Sequence, residues 1–367
     1  MLGCQSRPTT TAQLAVAADN CHSGIANRIG WSTYSSMRAT HTASAAIRKD
    51  DHMTSRKRLL GYAIGAAFTA TGAFASVATR PASADSDARS RAGLTVPADT
   101  TAAPVVLLAS MEGRNEVTSD PPQGQALELV GIHDNTLTYT ISWRGIGTPT
   151  EAAIHAGARG ANGPVVVPLF TTPAERDGLV SGTVTVGDPA LLAALRSDPS
   201  NFYADLHTDK FPTGAVRAQL HRLTHAVSKT GVAAVQESVI RGSQIYACTQ
   251  QSDGSFAFTQ NNVEARLTGG IHHTFVQPTA GPPQWHAPDG SAVTGRVVSR
   301  NANGDGNIAE LDLDATQIGN STGLLSDVVE VLRLNTVGGV APAGPCDPQA
   351  TPIVGVAYQA DYVFING

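Results

Sequence analysis

Hydrophobic and polar positions alternate along most of this chain. Leu137, Tyr139, Ile141 and Trp143 fall on one face of a short run, and Thr138, Thr140 and Ser142 on the other. That two-residue period is the mark of a half-buried strand. Comparable runs recur at Val105–Leu108, Gln125–Val130, Val180–Val186, Asn201–His207 and Gly214–Leu220. They continue at Ser243–Thr249, Phe256–Phe258, Ala292–Val298, Glu310–Ala315, Val328–Leu334 and Val354–Phe364. Gly, Pro, Asn and Asp separate them, as turns require. His133-Asp-Asn135 reads as a hairpin turn, and Val165-Val-Val167 as a buried strand. One helix is expected at Asp188–Leu195, with Asp188 as N-cap and Pro189 at the first helical position. The pattern predicts an all-β chain of two antiparallel β-sandwich or barrel domains in tandem, following an N-terminal signal peptide.

The signal is read at residues 53–84. Met53-Thr-Ser-Arg-Lys-Arg58 is a basic start, Leu59–Ala78 an apolar stretch, and Ala82-Ser-Ala84 a small-residue cleavage site that makes Asp85 the first mature residue. A membrane anchor is the rival, because the apolar run is about long enough to span. The A-x-A site and the Gly and Thr content favour cleavage. Residues 1–52 are polar and aperiodic, and are read as a disordered extension from a start assigned too early; a separate targeting segment is the alternative. Residues 85–103 are expected to be a linker, 104–223 the first domain, 224–234 a second linker and 235–367 the second domain.

The net charge is −5 over 367 residues. Without a basic field, nucleic acid is excluded as an expected partner. Cys4 and Cys21 lie in the leader. Cys248 and Cys346 are the remaining pair, and in an exported protein they read as a disulfide.

The first domain carries ordered motifs: Asn115-Glu-Val117, Ala153-Ile-His155 with Asn162-Gly-Pro-Val-Val165, Phe202-Tyr-Ala-Asp-Leu-His207, and Phe211-Pro-Thr-Gly214 leading to Val216-Arg-Ala-Gln-Leu220. From Val105 to Leu223 the sequence resembles the CHRD family, first recognised in chordin. The resemblance implies an antiparallel sandwich or barrel. Members often carry His-Ile-His where this chain has Ala153-Ile-His155. From Val235 on, Gln244-Ile-Tyr-Ala-Cys248, Pro283-Gln-Trp285, Leu334–Pro342, Cys346 and Tyr358–Tyr362 resemble a secreted family without assigned function, which also supports the Cys248–Cys346 bridge.

His155 and His207 are the leading candidates for chemistry. Imidazole suits zinc or copper, and alternation puts Asp205 on the face of His207, where it could orient a ring. Glu116 is a more distant candidate. A catalytic zinc ion needs three protein ligands and an open position, so the competing expectation is that the histidines pin the 156–164 loop through its backbone. Arg217 is expected to form a sheet-surface ion pair with Asp205. Trp285 is expected to anchor the core rather than stack on a sugar, and the neighbours His272 and His273 to face opposite ways. Asn301, Asn303, Asp305 and Asp312 follow the spacing of a calcium loop, with Asn at the first position and Asp at the twelfth. An Asn/Gly-rich hairpin explains the same residues, so calcium is not expected.

These readings favour an exported, non-enzymatic protein whose partner is an extracellular or cell-envelope protein or glycan. No cofactor is expected on that reading. The alternative is a zinc- or copper-binding, oxidoreductase-like protein using His155 and His207.

Overall fold

The computed structural model describes residues 105–118, 123–174, 178–225, 232–279 and 281–367, together with the backbone of strand β1, Arg91–Leu94. The signal segment 53–84, its Ala84–Asp85 cleavage site and the 1–52 extension lie outside the described residues.

Two barrel-like antiparallel sheets follow one another. The first is built from β2 (Val105–Glu112), β3 (Gln125–His133), β4 (Thr136–Arg144), β5 (Pro149–Ala156), β6 (Val165–Phe170), β7 (Leu179–Thr185), β8 (Phe202–Thr208), β9 (Val216–Gln219) and β10 (His221–Arg222). Its order is β6-β5-β8-β9-β2-β3-β4-β7, with β10 along β2. The predicted β4 face is realised: Leu137, Tyr139, Ile141 and Trp143 all point into the core, beside Leu107, Met111, Ile154 and Leu206. Each such side chain contributes about 1.5–3 kcal/mol by leaving water. Helix α1 (Pro189–Ser197) starts as read, with Asp188 Oδ1 accepting from the amides of Ala190 and Leu191. The Val165–Val167 run departs from expectation. Strand β6 ends the sheet, so Val165 is 46% exposed and only Val167 of the three is fully buried.

The second sheet closes on itself. It contains β11 (Val232–Gln250), β12 (Phe256–Leu267), β13 (His272–Phe275), β14 (Pro283–His286), β15 (Ala292–Asn301), β16 (Glu310–Gln317), β17 (Val328–Gly338) and β18 (Ile353–Asn366). Each pairs with the next, and β18 returns to β11. Cys248 on β11 is bonded to Cys346, with Cα atoms 5.8 Å apart.

The two barrels share a core. On β2 and β3 the residues pointing away from the first interior, Val106, Leu108, Leu127 and Leu129, pack with Val232, Ala234, Leu332, Leu334, Val363 and Ile365. Both segments read as linkers contribute strands here. β11 begins at Val232, and Arg91–Leu94 pairs antiparallel along it. The physical reason is that β11 needs partners on both edges to satisfy its backbone. Asn335 fastens the polar rim. Its side chain donates to Ser110 O at 2.6 Å and to Asp361 Oδ2 at 2.8 Å, and it accepts from Asn115 at 2.9 Å. Its φ of 52° is tolerated by Asn better than by most residues.

Candidate functional site

The candidate site lies on the outer face of the first barrel, across β5, β8 and β9. Register sets it. Ala153 stands opposite Asp205, His155 opposite Tyr203, and Glu151 opposite His207. Arg217 stands on the other side of Asp205, and Gln219 beside Tyr203. Their neighbours Ile154, Ala204, Leu206, Val216 and Ala218 face the core, so alternation delivers the polar side chains to one patch.

The structure brings the three predicted metal-site residues together. One donor atom each from His155, Asp205 and His207 lies within 4.8 Å of the others. His155 and Asp205 are buried, and His207 is partly so. His155 Nδ1 lies 3.0 Å from Gly163 O. A carbonyl only accepts, so Nδ1 carries the proton and Nε2 keeps a lone pair. That Nε2 is buried and has no hydrogen-bond partner. His207 Nε2 lies 3.5 Å from Asp205 Oδ1, and its Nδ1 4.0 Å from Glu151. The Asp205 carboxylate raises the pKa of His207 against the opposing effect of burial.

Glu116 completes the electrostatics. Burial pushes its carboxyl up to about 8, the charge of Asp205 adds to this, and Arg217 and His207 oppose it. Gly214 explains how Glu116 reaches the site. A Cβ at Gly214, whose φ is 129°, would come within 2.5 Å of Glu116 Oε2. The Phe211-Pro-Thr-Gly214 turn is therefore shaped around a carboxyl group, which its sequence alone does not reveal.

Arg217 differs from expectation. It is buried rather than a surface residue, and its guanidinium donates to Asn162 Oδ1 at 2.8 Å and Ala161 O at 2.9 Å. The cause is the 156–164 loop, which folds over this face and replaces water as the acceptor. Gly163 seats that loop, because a Cβ there would lie 1.6 Å from Ala156 O.

The remaining candidates are placed apart from this site. Trp285 is 1% exposed and packs against His273, Tyr362 and Phe364, as an anchor should. His273 stacks on Trp285, whereas His272 faces outward to Glu264. The residues with calcium-loop spacing connect two strands, β15 and β16. Asn303 donates its amide to Thr336, and Asp312 sits within β16, where burial and the charge of Glu330 push its carboxyl up to about 7. Asp305 is exposed at the loop, and Asn301 ends β15.

Two family models match parts of the chain. Residues 107–220 match the CHRD domain model. The CHRD-type segment covers the whole His155–Asp205–His207 face. Residues 268–366 match the family described as a protein of unknown function (DUF3455). No curated protein and no solved structure matches the chain. The two matches identify domains without an assigned role and bring no catalytic assignment. No helix among the described residues is long and apolar enough to cross a membrane.

Proposed function

We propose that this is an exported, non-enzymatic binding protein whose CHRD-type barrel holds a zinc or copper ion at His155, Asp205 and His207. The observation that carries the reading is the convergence of the three donor atoms within 4.8 Å around a buried, unpartnered His155 Nε2. Among the described residues it is the one such grouping of three or more His, Cys, Asp or Glu. The Nδ1 contact to Gly163 O is the support that metal-bound histidines ordinarily have. Tetrahedral donors about 2.0–2.2 Å from one ion stand roughly 3.3–3.6 Å apart, so binding must draw the widest pair inward by about 1 Å. Ala153 lies on the same face opposite Asp205, where the family's additional histidine would supply a further ligand. With fewer ligands the site serves to bind or to stiffen the loop rather than to catalyse. The export signal read from the sequence at residues 53–84 and the disulfide support an extracellular or cell-envelope setting, where the partner would be a protein or glycan.

Elemental analysis of the full chain after dialysis against zinc or copper tests this. About one ion per chain is expected, falling to background in His155→Ala and in His207→Ala. Background metal in the parent chain, with the same melting temperature with and without chelator, would instead leave His155 as a loop anchor.

A further inference from the structure

The second barrel contains a cavity of about 550 Å³ whose wall draws on all eight of its strands. That size suits one small organic ligand, and an eight-stranded barrel is wide enough to hold one. Its accessible apolar wall includes Phe275, Val297 and Ile308, and the almost fully buried Trp285, His273 and Tyr362 belong to the same lining. Its charge is one-sided. Arg300 and Arg333 line it, and no Asp or Glu does. His273 adds no charge, because burial holds it down at about 3. The Arg333 guanidinium donates through Nε and Nη2 to Ala309 O, and it forms no ion pair with any described carboxylate. A cationic, acid-free wall in a chain of net charge −5 favours an anionic ligand. We infer that the second barrel binds a small amphipathic organic acid, with its apolar body against Phe275, Val297 and Ile308 and its carboxylate at Arg333 and Arg300. Arginine is suited to the role by its planar fork of donors. This inference is independent of the metal site in the first barrel.

The test titrates the full chain at neutral pH with decanoate, decanol and decylamine, following heat and tryptophan emission. Decanoate is expected to bind once per chain, at least tenfold more tightly than the alcohol or the amine. Arg333→Met and Arg300→Gln should each weaken decanoate about tenfold and leave decanol unchanged. Val297→Trp, which fills the cavity, should abolish binding of decanoate. Arg300 is exposed, so its substitution keeps the test valid if Arg333→Met fails to fold. No saturation at millimolar decanoate, equal affinity for the three probes, or undiminished binding in Val297→Trp would overturn the inference.

Discussion

The guanidinium of Arg217 lies over the ring of Tyr203, 3.7 Å from its centroid. His155 stacks on the same ring at 4.8 Å, so the tyrosine is held between β5 and β9. The Tyr203 hydroxyl accepts from Gly163 N at 3.0 Å, and Arg217 bonds to Asn162 and Ala161. One residue therefore connects the candidate ligand, the buried cation and the loop above them. Replacing Arg217 by Met removes two charge-assisted hydrogen bonds and a desolvated cation–π contact. The expected loss is about 2–4 kcal/mol in urea unfolding, with faster hydrogen exchange at residues 157–163. A variant within 0.5 kcal/mol of the parent (roughly the noise of a surface change) would show the contact to be incidental.

The two barrels are expected to unfold together. Their shared apolar core and the Asn335 hub cross the boundary. Asn335→Ala leaves the 0%-exposed Asp361 carboxylate short of one donor, and such a loss ordinarily destabilises by about 1–3 kcal/mol. Calorimetry should show one transition, moved to lower temperature in the variant. Two separated transitions in the parent chain would contradict the coupling.

Stability should be highest near pH 5 and decline toward pH 8. Glu128 faces the first barrel's interior, and burial alone pushes it up to about 8 from an ordinary 4.5. The native state therefore keeps a proton that the unfolded chain releases between those values. Unfolding free energy then falls as pH rises through that window, with a slope of up to about 1.4 kcal/mol per pH unit for this group. Glu112 and Glu116 at about 8 act in the same direction, and so does the raised His207. His273 sets the acid side. Its native value of about 3 lies below the ordinary 6.5, so its contribution is lost as pH falls from 6.5 toward 3. Urea unfolding at several pH values checks this, and Glu128→Gln should flatten the decline. A curve that rises from pH 5 to pH 8 would refute the assignment.

Breaking the Cys248–Cys346 bond, which spans 98 residues, should lower stability by about 2–5 kcal/mol. The Cys248→Ser/Cys346→Ser variant measures it. An unchanged urea midpoint would contradict this expectation and show that the bond does not restrict the unfolded chain.

The sequence by itself determined the all-β class, the half-buried faces, the helix cap, the disulfide pair and the family matches. The first three depend on short-range periodicity and turn chemistry, the disulfide on a single cysteine pair and the matches on ordered motifs, all of which a linear pattern records. It also placed Asp205 beside His207, because alternation fixes which side chains share a face. Only the tertiary structure decided that His155 joins them, because that depends on β5 and β8 pairing in one register across some fifty residues. It likewise decided that Arg217 is buried, since the loop covering it is mostly Gly and Ala with no apolar periodicity and reads as surface. The barrel interface was invisible for a similar reason. Val106, Leu108, Leu127 and Leu129 alternate with core residues that are equally apolar, so β2 and β3 read as continuous hydrophobic runs. A strand buried on both faces carries no alternation to show where its second partner lies.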